Sequence, residues 1–478
     1  MKNTFIALIL AATPMLASGV TEIPTAKTKK PNIVLIMADD LSMTDIEPYG
    51  STQVHTPNIA LLASEGVCLD NMFNMIPICS PTRQSLLTGL GPVRNGAWPN
   101  HSQIYPGIKT LPVYLKELGY DVALTGKRHY SPQAAYPFDF LGGRDADDGK
   151  GQDIDLENFG NYIKKSTGKP FFLMFASNQP HSPWTRGNSK AYDPAKIKLG
   201  ANMVDTPLTR NQMVKYFAEI TYLDSLVGVC LDKIEQAGQK ENTLVIFTTE
   251  QGNSFPFSKW TLYDQGLRSG FIVRWPGKVK PGTRAQALVQ YPDILPTLID
   301  IAGGNPEKQN TGSVDGLGKT GFDGTSFKKV LLGQAAQHRD YVYGVNTTRG
   351  IINGSDAYAS RSVRSREFLY IHNLNYQNTY SNAATSSPVF KDWLENDPVR
   401  AGFYLTRPEV ELYDVVADPY QLNNLAGDAK YAAVKAKFKT RLEAFMKQQG
   451  DKGTETEMLA LTRQPKYGDA ERSSDSKK

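Results

Sequence analysis

Cys79-Ser80-Pro81-Thr82-Arg83 puts a modifiable sulfur beside a cation at a helix start. Read locally, Ser80 is the N-cap, Pro81 the first helical residue and Gly89 the stop. Cys79 would stand just outside the helix N-terminus, where free N–H groups and the macrodipole favour an anion. Arg83, roughly one turn on, can return toward the sulfur and grip an oxyanion through two parallel hydrogen bonds. A second set is oxygen-rich: Asp39-Asp40 together with Glu250-Gln251 offer three carboxylates and an amide oxygen. Four such donors suit a hard cation, Ca²⁺ or Mg²⁺, better than Zn²⁺. Lys127 and His129, at i and i+2, would face one side of an extended segment. His181 between prolines and Lys259 complete the polar candidates.

Each feature also has a plain reading. Cys79 could be a packed thiol at a helix cap, Asp39-Asp40 a turn, His129 and His181 structural imidazoles, and the lysines solvated. The elements that carry them decide between the two. Asn32 to Met37 is a continuous apolar run, the pattern of a strand buried on both faces, and it ends in Ala38-Asp39-Asp40. Tyr120 to Thr125 ends in Gly126-Lys127-Arg128-His129, Phe171 to Ala176 leads to Pro180-His181, and Thr243 to Thr248 leads to Glu250-Gln251. Helices lie between, including one with Thr56 as N-cap and Pro57 at its first position. The expected architecture is α/β, a large and mostly parallel doubly wound sheet flanked by helices. Ligands of such sheets bind beyond the carboxyl ends of the strands, where these residues would meet.

Phe271 to Trp275 reads as a further strand, and residues 303–325 as a Gly-rich connection. From Tyr341 the pattern changes to strands such as Phe368–Ile371 and a helix near 431–448, a smaller C-terminal α+β domain combining an antiparallel sheet with a helix. The expected division is a signal peptide at 1–20, a catalytic domain at 28–338, a C-terminal subdomain at 339–465 and a disordered tail at 466–478. The leader reading rests on Lys2, an apolar run from Phe5 to Leu16 and the small residues Ala17-Ser18-Gly19. That run is too short to span a bilayer. The expectation is an exported protein, periplasmic or secreted, without a membrane anchor.

The chain has 478 residues and a net charge of +5, too mild to suggest a nucleic-acid partner. Its three cysteines make no disulfide framework. Cys230 falls on the apolar stripe of a core-facing helix, and Cys68 reads as a small buried residue. Only Cys79 has an electropositive setting that would make its sulfur reactive.

Taken together, these motifs resemble the formylglycine-dependent sulfatases over most of the chain. Cys79-Ser80-Pro81-Thr82-Arg83 matches that family's Cys-x-Pro-x-Arg motif, and Pro31 to Asp40 its opening strand and first metal pair. Gly126-Lys127-Arg128-His129, Pro180-His181, Thr249-Glu250-Gln251-Gly252 with Lys259, and Glu411-Leu412-Tyr413-Asp414 with Asp418-Pro419 follow in the family's order. Tyr136 to Phe140, Arg361 to Arg364 and His372 to Asn375 resemble the heparan N-sulfatase (sulfamidase) branch. One departure stands out: the family usually has Asp then Asn or His at the second metal pair. Glu250 and Gln251 are each longer by one methylene, about 1.5 Å of bond, so their backbone must sit further back or the metal must shift.

The resemblance implies a cofactor set and a mechanism. Cys79 would be oxidised to formylglycine by a maturation enzyme, and Asp39, Asp40, Cys79, Glu250 and Gln251 would surround Ca²⁺, with Mg²⁺ the alternative. The aldehyde hydrate would attack sulfur while Arg83, Lys127 and Lys259 hold the sulfuryl oxygens. His181, with Lys259, would protonate the leaving atom, and His129 would take the proton whose loss expels sulfate. The implied substrate is a sulfated carbohydrate, and loop residues Trp98, Asn100, His101, Trp184 and Arg349 are candidates for its binding. The expected activity is hydrolysis of O-sulfate on saccharides derived from algal polysaccharide or glycosaminoglycan. N-sulfoglucosamine hydrolysis, phosphonate or phosphate ester hydrolysis, and silent binding of sulfated glycans are the alternatives.

Overall fold

The computed structural model describes residues 29–146, 149, 152–165 and 168–465, together with Met1. The leader reading at 1–20, Met1 apart, and the tail at 466–478 lie outside the described residues. Eight strands form the main sheet: β1 (Asn32–Ala38), β2 (Val67–Phe73), β3 (Asp121–Gly126), β4 (Asp139–Phe140), β5 (Phe171–Ala176), β6 (Thr243–Thr249), β7 (Arg268–Arg274) and β8 (Thr283–Gln290). Their order is β4-β3-β5-β1-β6-β7-β2-β8. The β1–β5, β1–β6, β3–β4, β3–β5 and β2–β8 pairs are parallel, whereas β7 runs antiparallel to both β6 and β2.

The apolar run of β1 is buried on both faces because alternate side chains enter different layers. Val34, Ile36 and Ala38 join one core cluster, and Ile33, Leu35 and Met37 join another. Four helices matter for the site or its support: α1 (Pro57–Ser64), α2 (Cys79–Thr88), α3 (Pro207–Gln236) and α4 (Ala432–Gln449). Cys230 is fully buried on α3 and Cys68 nearly so on β2. The smaller sheet contains β9 (Val342–Asn346), β10 (Ser360–Arg364), β11 (Phe368–Asn373) and β12 (Val410–Asp414), antiparallel in the order β12-β11-β10-β9. α4 packs on it, stacking Phe445 on Tyr343 at 4.0 Å.

The helix caps differ from the sequence expectation. α2 starts at Cys79 itself, with extended Ile78 as N-cap, so Cys79 is the first helical residue. The Thr82 hydroxyl donates to the Ile76 carbonyl and the Thr82 amide to Ile78 O, which winds the first turn early. Ser80 then turns its hydroxyl to the Gln84 amide. Gly89 closes the helix at φ +67, as expected. At α1, Thr56 precedes the helix but accepts from Glu47 N. The free N–H groups of Asn58 and Ile59 donate instead to the buried Asp224 carboxylate of α3, at 3.2 and 2.8 Å.

Candidate active site

Strand register brings the chemical residues to one level. Ala38 pairs with Thr249, Met37 with Ala176, and Gly126 with Ala176, so β1, β6, β5 and β3 release their polar successors along one edge. Asp40 turns the chain there at φ +57. Asp39 N donates to Gln179 O and Glu250 N to Ala38 O, which ties three of the exits together. α2 delivers Cys79 to the same place.

Asp39, Asp40, Cys79 and Glu250 each present a ligand atom, all within 4.8 Å of one another. All four are buried. The Gln251 amide lies 2.7 Å from Asp40 Oδ1 and 3.5 Å from Cys79 Sγ. The longer Glu250 and Gln251 side chains therefore still reach the cluster. Asp39 Oδ1 and Gln251 Oε1 are buried and accept no hydrogen bond. Carboxylates packed this closely repel one another, and a cation among these oxygen donors would relieve that repulsion. The donor set and the two orphaned oxygens fit a divalent metal.

Three buried cations face the carboxylates. Lys127 pairs with Asp39, Arg83 with Glu250, and Lys259 with Asp40 at 2.8 Å. Arg83 also donates to the Lys127 carbonyl at 2.9 Å, which braces two of them. Burial alone would raise Asp39, but Lys127 beside it holds the carboxyl well below the usual range. Burial pushes Glu250 well above that range, with Arg83 pulling the other way and Asp39 adding to the rise. Burial disfavours the charged forms of Lys127 and Lys259, yet their carboxylate neighbours raise both ammonium groups above the ordinary lysine range.

Cys79 departs from the sequence expectation of a reactive sulfur. Burial pushes its thiol up to about 12, a stronger effect than the lowering by Lys259 and Lys127. Burial thus favours the protonated thiol over the thiolate in the unmodified side chain.

Lys127 and His129 converge on the site, though not by strand alternation. Gly126 at φ +89 and His129 at φ +46 take the chain out of extended geometry. His129 Nε2 lies 3.0 Å from His101 Nδ1. Burial, with Lys127 and His101 adding to it, lowers the His129 pKa well below the ordinary value. His129 is therefore neutral at pH 7 and able to accept a proton. His181 Nδ1 lies 2.6 Å from the Ser182 carbonyl and its Nε2 lies 3.5 Å from Asp40 Oδ2. A carbonyl only accepts, so Nδ1 carries the hydrogen and Nε2 is the nitrogen free to exchange a proton. The His181 side chain is 30% exposed, within reach of a substrate. Burial lowers its pKa, and Asp40 opposes that shift.

The loop candidates divide. His101 adopts φ +56 and joins the site through His129. Trp98 is only 3% exposed and packs in a core cluster with Met75, Ile76 and Ile78, so its ring is not offered to solvent. Asn100 is buried with Oδ1 accepting no hydrogen bond. Trp184 stacks on Phe255 at 5.2 Å. Arg349 is half-buried and donates to the Asp356 carbonyl at 3.2 Å. Two contributors escaped the sequence reading: Ser254, whose hydroxyl donates to Asp40 Oδ2 at 2.7 Å, and Asn74, whose amide donates to the Glu250 carbonyl at 3.0 Å. Ser254 lies three residues past Gln251, so proximity was its available signal. Asn74 had none.

The sequence model of the sulfatase family matches residues 31–304, more than half of the chain and all the polar strand ends described above. The chain belongs to the sulfatase family. It is accordingly a sulfuric ester hydrolase. A second model, N-sulphoglucosamine sulphohydrolase, C-terminal, matches residues 252–383. The chain is similar to an ulvan-active sulfatase of Formosa agariphila, 32% identical over 91% of this chain and 84% of that one. It is 27% identical to the human N-sulphoglucosamine sulphohydrolase, over 84% of this chain and 87% of that protein. Among solved structures, one in complex with its substrate D-glucosamine-2-N,6-O-disulfate superposes with a TM-score of 0.69. It is 20% identical and covers 89% of this sulfatase and 99% of the solved chain, a likeness of fold.

Proposed function

We propose that this sulfatase hydrolyses O-sulfate esters on saccharides derived from sulfated polysaccharides, with Cys79 as the site of the nucleophile. The observation that carries this reading is the meeting of four buried side chains of metal-ligand type and three buried cations, with Cys79 among them. The ulvan-active relative supports a polysaccharide source, and the complex with a glucosamine disulfate supports a sulfated sugar in the same fold. Hydrolysis of N-sulfoglucosamine is the second reading, favoured by the C-terminal match to the sulphohydrolase model. The leader-like N-terminus favours export, and no described helix is long and apolar enough to cross a membrane.

Asp39, Asp40, Glu250 and Gln251 would hold Ca²⁺, with Mg²⁺ the alternative, and the ion would supply Lewis-acid polarisation of a sulfuryl oxygen. Oxidation of Cys79 to formylglycine would supply an aldehyde whose hydrate attacks sulfur, which suits a position where the thiol itself is not ionised. Arg83, Lys127 and Lys259 stay protonated and can orient the sulfuryl oxygens and balance the charge that builds on them. Their buried setting keeps water from screening that interaction. When Nε2 is protonated as well, a form that Asp40 favours, His181 would give that proton to the leaving oxygen, with Lys259 paired to the same Asp40. Neutral His129 would accept a proton from the hydrated nucleophile as sulfate departs.

A panel of defined O- and N-sulfated oligosaccharides, assayed beside a nitrophenyl sulfate with wild type and His181→Ala, tests this function. The expected result is release of sulfate from O-sulfated saccharides. Loss of the general acid should cost about 10²–10³-fold on sugar esters, whose alkoxide leaves poorly, and little on the aryl ester. Turnover confined to N-sulfated glucosamine would favour the second reading. Equal losses on both leaving groups would remove His181 from the acid role.

A further inference from the structure

The chemistry above leaves unused a short C-terminal segment that lies across two loops. It comprises α5 (Thr454–Met458) and the 3-10 turn Ala460–Arg463, ending at Gln464. One loop, 96–103, carries Asn100 and His101. The other, 347–350, carries Arg349. The fully buried Glu457 carboxylate accepts from the Thr347 hydroxyl, from Thr348 N at 2.8 Å and from Arg349 N at 2.9 Å. Arg463 donates to Gly96 O at 2.9 Å and Gln103 O at 2.7 Å, and Gln103 N donates back to Arg463 O at 2.9 Å. Gln464 joins the two loops directly, its Nε2 donating to Asn100 O at 2.7 Å and to Gly350 O at 2.6 Å.

Glycine stands where these side chains press closest. Gly96 and Gly350 have φ of +88 and +85, and an added Cβ would fall 2.9 Å from Arg463 Nη2 and 3.0 Å from the Gln464 amide. Both loops thus leave room for the segment at the cost of backbone freedom.

We propose that residues 454–464 form a clasp that fixes the two substrate-facing loops relative to each other, with Gln464 and Glu457 as positioning residues for saccharide recognition. The proposal rests on the reading that His101 and Arg349 meet the sugar. Two measurements on the full-length Gln464→Leu enzyme separate its parts. Hydrogen exchange should rise together in peptides covering 96–103 and 347–350, by about tenfold for two lost hydrogen bonds, and stay unchanged over α2. Glu457→Gln should loosen 347–350 alone. Unchanged exchange in both variants would overturn the clasp. With the sulfated oligosaccharide, KM should rise about tenfold while kcat stays within about twofold. Faster exchange with an unchanged KM would overturn the link to saccharide recognition. A fall in kcat together with faster exchange over α2 would mark a general structural role and overturn the positioning assignment. A wild-type enzyme that desulfates no saccharide would refute the substrate reading, while the exchange data would still decide the clasp.

Discussion

Cys79→Ala is expected to lower desulfation by at least about 10⁴-fold, the scale on which removal of a covalent nucleophile acts. The change removes a single sulfur from a fully packed position, and α2 should persist because alanine is a good helix former at its first residue. Its ion pairs stay in place, since Arg83, Lys127 and Lys259 are held by carboxylates and not by the thiol. The inactive variant should therefore remain folded by circular dichroism and still bind sulfated saccharide. Measurable turnover within about tenfold of wild type would transfer the nucleophile to another group.

Lys127→Ala is expected to reduce kcat by about two to three orders of magnitude, the typical effect of one oxyanion contact. Lys127 is buried against Asp39 and its carbonyl receives Arg83, so it contributes both charge and bracing. A smaller change in KM is expected, because charge on the sulfuryl oxygens grows toward the transition state. Removing the ammonium also leaves the buried Asp39 carboxylate without its counter-ion. The Asp39 carboxyl should then lose the lowering that Lys127 provides, and the variant should lose activity toward acid sooner than wild type. The sign follows from the shift: a depressed carboxylate pKa protects the ionised form as pH falls, and without Lys127 that protection shrinks. Steady-state kinetics across pH check both points, and an unchanged kcat would contradict the assigned role.

The polar ends of the strands were legible because buried parallel strands are nearly pure apolar runs, which makes the residues after them conspicuous. Asp39, Lys127 and Glu250 each follow such a run directly, and sheet register does the rest. β2 and β8 were harder to read. Val67–Phe73 carries Asp70 and Asn71 near the sheet edge, where Arg284 and Gln286 of β8 satisfy them across strands. No alternation within either strand announces that pairing. α2 was found but entered too late, since an apolar Ile78 serves as its N-cap and no side-chain cap marks the start.

The reactive-thiol expectation is opposed by burial. The local sequence supplies a helix end and cations, which lower a thiol pKa, but not the depth of burial, which outweighs them here. Trp98 likewise reads as a candidate for sugar binding until packing closes over it. The contact of His101 with His129 and the bridge of Gln464 to Asn100 leave no trace in local pattern, because they join residues 28 and 364 positions apart.

The account turns on the state of one side chain. Mass spectrometry of the peptide containing Cys79, taken from active protein made in its native host, measures that state directly. The predicted result is the mass loss of thiol-to-aldehyde conversion at Cys79, whereas an intact thiol in protein that still releases sulfate would contradict it.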